Sequence, residues 1–498
     1  KITIALLGGV TAGVLLWNVA RPPGVRTPPL EIVEEARNPV NVIWVTSDAL
    51  RAANTSIHGY ARETTPTLER FRKDAVFFRY NYSQCCWTQP SMTSLFTSLY
   101  PFEAFRMEGG LSPELFTVAQ VLREAGWRTA GLSNNEVVGP STSLDRGFDT
   151  FYRPPRAYAR DRLLSYTTLA YLVDGVVGGR IHAVVEAATL VPQPRRELAA
   201  RTEKALFEEA VRVLDGLEEP FFLYLHFMAP HAPYAPEEPF ADWGGAGPPP
   251  TEHLLRDARR MPPKDLAPEE LADVVLRYDR EIRMLDDYFG RLLDRLREKG
   301  LYDDSIVILT SDHGEELLEH GGWTHGRALY QESVHVPLLV KLPGSRHGGV
   351  TFDLPTQGVD LLPTILSVVD LDAAFPYALR GESVFGRGGE TIRDLGNRPI
   401  VIEFNSHYPD VNDQAALVLG NAKLVRDLVS GELQLYDLAG DPGERRNLAT
   451  ADPERRDRLA ALLEGIIREH QSGFYSGAPS PLETLRVREE LRALGYIQ

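Results

Sequence analysis

The segment Ser305-Ile306-Val307-Ile308-Leu309-Thr310-Ser311-Asp312-His313 decides the fold. It is a short β-branched, apolar run bounded by polar residues, the signature of a strand buried on both faces. A helix delivers the chain into it. From Glu269 to Gly300 the apolar residues Leu271, Val275, Tyr278, Ile282, Leu285, Phe289, Leu292 and Leu296 alternate at spacings of four and three, and Gly300 supplies the stop. A helix-to-strand crossover of this kind is what parallel sheets require. Outward from it, four more runs have strand character: Val40 to Thr46, Trp127 to Leu132, Phe221 to Phe227 and Val336 to Lys341. The expected fold is therefore α/β, a large, mostly parallel sheet with helices on both faces.

What stands at the strand ends is chemical. Asp48 closes the first run, Asn134 and Asn135 follow the second, His226 and His231 flank the end of the third, and Asp312-His313 ends the fourth. Open α/β sheets bind ligands beyond the carboxyl ends of their strands, so these residues are expected to converge. Asp and Asn are also ordinary turn formers, and a histidine inside a strand run, such as His226, is more often a satisfied core residue. Thr88 lies near the start of a short helix whose first turn suits Pro90 and whose Leu95 and Leu99 space as an apolar face. Such a threonine is either a cap or a group held where the helix dipole favours negative charge.

Three blocks resemble the signature blocks of the sulfatase family, within the alkaline phosphatase superfamily: Asn41 to Arg51, Thr88-Gln89-Pro90-Ser91, and Thr310-Ser311-Asp312-His313-Gly314-Glu315. Supporting segments, in the family's order, are Gly59-Tyr60 with Thr64 to Leu68, Pro230-His231-Ala232-Pro233-Tyr234, His325 to Tyr330, and Leu435 to Leu438 with Asp441-Pro442-Gly443-Glu444. The resemblance implies an ester hydrolase or phosphotransferase that uses one divalent metal ion (Mn, Mg, Ca or Zn) and passes through a covalent intermediate on Thr88. It implies Asp48, Thr88, Asp312 and His313 as metal ligands, an oxygen-rich shell with one imidazole. It further implies Asn134, His231 and His325 as catalytic groups that hold the transferred group and protonate the leaving oxygen.

Departures from the family pattern are informative. Formylglycine sulfatases start from Cys-x-Pro-x-Arg, whereas Thr88 stands at the Cys position here and Met92 at the Arg position. Cys86 cannot substitute, because Thr88 rather than proline follows it by two. The sulfatases' paired aspartates are reduced to Asp48-Ala49. These features favour phosphate mono- or diesters as in phosphodiester and phosphonate hydrolases, lipoteichoic acid synthases or phosphoethanolamine transferases. The alternatives are a sulfuric ester hydrolase without formylglycine and a catalytically inactive, membrane-anchored binding protein. The expected substrate is a small-molecule, lipid-linked or glycan ester.

Composition sets the outer bounds. The 498 residues carry 53 basic and 69 acidic side chains, a net charge of -16, which argues against a nucleic-acid partner held by bulk attraction. The two cysteines, Cys85 and Cys86, are adjacent, and a strained vicinal disulfide is less expected than two thiols. The uncharged run from Ile2 to Ala20 would extend ~28 Å as a helix, about a bilayer core. It is expected to be a transmembrane anchor, or a signal segment cleaved on secretion, with the enzyme periplasmic or at the cell surface. Residues 21–39 form a Pro-rich spacer, 40–386 the catalytic domain with a helical insertion at 150–215, and 387–498 a C-terminal antiparallel-sheet subdomain. Within the insertion, 162–192 are apolar enough for core packing or for a lid facing membrane or lipid. The sequence leaves the oligomeric state open.

Overall fold

In the computed structural model the described residues are 30–105, 110–153, 195–245, 266–406 and 411–476. Among these residues the central sheet has nine strands. We label β1 Val42–Asp48, β2 Val76–Tyr82, β3 Arg128–Ser133, β4 Thr150–Tyr152, β5 Phe221–Pro230, β6 Ile306–Ser311, β7 His335–Lys341, β8 Thr351–Phe352 and β9 Thr356–Gln357. Their order is β8-β2-β7-β6-β1-β5-β3-β4, with β9 also pairing β2. Strands β6, β1, β5, β3 and β4 are mutually parallel. All five expected runs are strands, but β7 is antiparallel to both β6 and β2, so the sheet is mixed. Strand β2 had no clear pattern in the sequence, because Arg79 and Tyr80 interrupt its buried positions.

Alternation along the strands builds two cores. Ile43, Val45, Leu223, Leu225, Val307 and Leu309 face one side, against the long helix Pro268–Glu298. Val42, Trp44, Phe222, Tyr224, Ile306 and Ile308 face the other, against the helices Thr88–Thr97 and Leu361–Val368. The long helix buries Tyr278, Ile282, Leu285, Phe289, Leu292 and Leu296, the stripe expected from its spacing. Burial of a stripe this size, at ~1.5–3 kcal/mol per large apolar side chain, is what fixes the helix on the sheet.

The C-terminal subdomain is a four-stranded antiparallel sheet, β10 Ile400–Phe404, β11 Gln414–Leu419, β12 Ala422–Asp427 and β13 Leu433–Asp437, backed by the helix Pro453–Ser476. Its apolar face meets Tyr82, Cys85, Cys86 and Leu329, so it packs directly on the segment preceding Thr88. Both cysteines are buried free thiols, as expected.

The expectation of a transmembrane protein is corrected. Among the described residues no helix is long and apolar enough to cross a membrane. The physical reason is plain in the longest one, where Arg277, Asp286, Arg295 and Glu298 are among the charges that recur along its length. The anchor expected at 2–20 and the apolar stretch 162–192 lie outside the described residues.

Candidate active site

The floor of the site is made where β1 and β6 end side by side. Asp48 is the last residue of β1, and Asp312 and His313 follow Ser311 at the end of β6, with Ser47 and Ser311 in register. All three side chains are fully buried, and one ligand atom from each lies within 4.8 Å of the others. Among the described residues no other group of this kind converges.

Each group has its spare valence turned inward. Asp312 Oδ1 accepts from the N–H groups of Ala49 at 3.2 Å and His313 at 2.8 Å, while Oδ2 has no hydrogen-bond partner. Asp48 Oδ1 is likewise without one. His313 donates Nδ1–H to the Gly314 carbonyl at 2.8 Å, which leaves Nε2 as a lone pair 3.4 Å from Asp312 Oδ2 and 3.6 Å from Asp48 Oδ1. Two orphaned carboxylate oxygens and an imidazole lone pair, all buried, are costly unless something positive sits between them. The donor set fits a divalent cation.

Electrostatics tell the same story. Burial pushes Asp312 up, to about 6, with the Asp48 charge adding to it. Burial would push Asp48 up as well, but His231, the bond from His226 and His313 outweigh it and hold that carboxyl well below the usual range. Burial also lowers His313, against the pull of Asp312, favouring the neutral ring that a metal needs.

Thr88 is not a cap. Trp87 takes the N-cap position of the helix Thr88–Thr97 without a side-chain bond, and Thr88 Oγ1 lies 3.2 Å from His313 Nε2. The hydroxyl thus faces the ligand cluster from the first helical residue, 5% exposed.

The rim comes from loops. His325 donates Nδ1–H to Glu315 at 2.8 Å, and its ring centre lies 4.4 Å from His313 and 4.9 Å from His231. His231 donates Nδ1–H to the Ala232 carbonyl at 2.6 Å. Both rings are thus held through Nδ1. Glu315 is buried, which would raise it, yet the charges of His325, His231 and His313 bring it below the usual glutamate range. Gly314 is required by space, since a Cβ there would meet the Glu332 carbonyl at 2.0 Å. Gly326, at φ +77°, lets the chain turn so that its N–H reaches the Cys86 carbonyl at 2.9 Å, joining the His325 loop to the Thr88 segment.

Of the expected site residues, Asp48, Thr88, Asp312, His313, His231 and His325 come together. Asn134 stands beside them at the end of β3, its backbone N–H donating to the His226 carbonyl at 3.1 Å, and it is Asn135 that reaches Asp48 Oδ2, at 2.5 Å. Three contributors had no role assigned from the sequence, His226 among them because it reads there as a core histidine. His226 contacts Asp48, Glu315 orients His325, and Tyr234 bonds Glu315 at 3.0 Å. For Glu315 a signal existed in its place within the Asp312-His313-Gly314-Glu315 block.

With the geometry in place, comparison with known proteins is informative. A family profile described as Sulfatase matches residues 40–371, and one described as N-sulphoglucosamine sulphohydrolase, C-terminal, matches 319–472. The multifunctional alkaline phosphatase superfamily protein PehA of Trinickia caryophylli is 26% identical, over 85% of this chain and 91% of its own length. Arylsulfatase K of Homo sapiens is 26% identical, over 86% and 82%. The phosphonate monoester hydrolase of Silicibacter pomeroyi superposes with a TM-score of 0.67 at 22% identity, over 88% of this chain and 97% of that one, a likeness of fold.

Proposed function

The chain belongs to the sulfatase family, as an ester hydrolase of the alkaline phosphatase superfamily, and on that premise we propose that it cleaves sulfate esters without formylglycine. The reading rests above all on the buried Asp48, Asp312 and His313 cluster with the Thr88 hydroxyl beside it. Support for sulfate comes from the two family profiles and from arylsulfatase K, and it outweighs the preference for phosphate esters drawn from the missing cysteine. A sugar-borne sulfo group is favoured, because the C-terminal profile is named for a hydrolase of N-sulphoglucosamine, a sulfo-bearing sugar.

Asp48, Asp312 and His313, with Thr88, would hold the cation. Bound there, it would lower the pKa of the threonine hydroxyl and offset charge on the sulfo oxygens. The chain's own residues do the rest. Thr88, having lost its proton to solvent, forms the Oγ1–S bond while the ester S–O bond breaks. His325, held by Glu315, gives the leaving oxygen its proton through Nε2. His231 and Asn134 hold the sulfo oxygens. Water then attacks sulfur, its proton goes to His325, and the Oγ1–S bond breaks to release sulfate and restore Thr88. General acid–base help of this kind contributes ~10²–10⁴-fold.

A second reading, cleavage of phosphate or phosphonate esters, is favoured by one observation, the threonine at the cysteine position. Turnover of matched aryl and sugar sulfates, phosphates and phosphonates, with and without added Mn²⁺, separates the two. The proposal expects metal-dependent sulfate release to dominate. A dominant phospho activity with no sulfate release contradicts it.

A further inference from the structure

Asp48 is held from behind. Its Oδ2 receives two bonds, from Asn135 Nδ2 at 2.5 Å and from the His226 ring at 3.2 Å, while Oδ1 is left facing Asp312 and His313. His226 lies on β5, in register with Thr46 of β1, and its side chain is fully buried. Two residues back on the same face of the strand, the Tyr224 hydroxyl is 2.8 Å from His226 Nδ1.

Donor counting fixes the direction of this chain of bonds. An ionised carboxylate only accepts, so Nε2 of His226 carries hydrogen. In the neutral ring Nδ1 then accepts, and the Tyr224 hydroxyl is the donor. Tyr224 is packed between Trp44 and Phe96, with ring centres 6.0 and 4.9 Å away, so its hydroxyl cannot swing elsewhere without moving the core. The line Tyr224 to His226 to Asp48 therefore runs from the apolar layer under the sheet to the one carboxylate at the end of β1.

We propose that His226, oriented by Tyr224, is a positioning residue that occupies Oδ2 of Asp48 and so restricts the carboxylate to presenting Oδ1 to a cation. The inference deepens the metal-site reading and rests on it. Without the imidazole, Asn135 alone holds Oδ2, the carboxylate can rotate, and a site preorganised for one geometry becomes several. Groups that orient metal ligands in this way typically change metal affinity by ~10–100-fold.

The test is a calorimetric Mn²⁺ titration of the chelator-stripped full chain, with thermal unfolding of each metal-free protein alongside. Wild type is expected to bind and Asp312→Asn to lose binding. If wild type does not bind, the metal-site reading fails and the inference fails with it. Given binding, His226→Leu is expected to weaken affinity ~10–100-fold. His226→Gln, which keeps an N–H donor, should recover part of that loss, and Tyr224→Phe should lose less than His226→Leu. A purely structural role predicts lowered unfolding temperatures with unchanged affinity. Affinity within about twofold of wild type in a folded His226→Leu overturns the inference, and where that variant does not fold, affinity within about twofold in Tyr224→Phe overturns it.

Discussion

The floor and the rim of the site are built by different means. Asp48, Asp312 and His313 sit at the ends of adjacent parallel strands, where sheet register alone sets their spacing, and none is exposed. His231 and His325 stand on loops and owe their orientation to single side-chain bonds, to a neighbouring carbonyl and to Glu315. The rim is also tied to the C-terminal subdomain. Glu444 accepts from the Gln331 N–H at 2.6 Å and pairs with the fully buried Lys423 of β12 at 2.8 Å, and its carbonyl takes His320 Nε2 at 3.1 Å. The floor is thus made to bind and the rim to adjust, and the two should fail differently.

Asp312→Asn is expected to remove metal binding and lower turnover by about 10³-fold or more, because charge stabilisation by a cation contributes several kcal/mol. His325→Ala should cost ~10²–10⁴-fold in kcat with Mn²⁺ affinity unchanged, and less on activated aryl esters that need no proton. If the two variants lose metal together, floor and rim are not separable. Lys423→Met leaves a buried carboxylate unpaired and should lower stability by ~3–5 kcal/mol, while reducing kcat and sparing metal affinity. Equal kcat in the folded variant would show that the subdomain does not govern the rim.

The smallest effect concerns pH. Burial, then the charges of Glu332 and Glu315, push Glu316 up to about 8 from a usual value near 4.5. The folded state therefore holds this proton after the unfolded chain has lost it, so the contribution is complete below about 4.5 and is lost as pH rises through about 8. Glu316→Gln should flatten that part of the stability profile, measured by denaturant unfolding across the window. A profile identical to wild type would count against a protonated Glu316.

The floor was the legible part of the sequence. Asp48 and Asp312-His313 stood at the ends of runs whose β-branched composition marks strands, and the rule for open sheets did the rest. Thr88 needed the resemblance, since a threonine before Gln89-Pro90 reads equally as a cap. His226 was hidden because a histidine within a buried run has the same pattern whether it packs or bonds. Asn134 was the asparagine expected in the site and Asn135 was given no role, since which of two neighbours turns toward Asp48 depends on the exact residue at which β3 ends. The direction of β7 was likewise silent, because a strand buried on both faces has the same composition in either orientation.

The central claim is that Thr88 carries the transferred group. It is tested most directly by accurate-mass spectrometry of protein quenched during turnover of an activated sulfate ester, with Thr88→Ala as the control. A sulfo group localised to Thr88, and absent from the variant, is the predicted result. An unmodified Thr88 under steady turnover, with Thr88→Ala retaining wild-type rates, would contradict it.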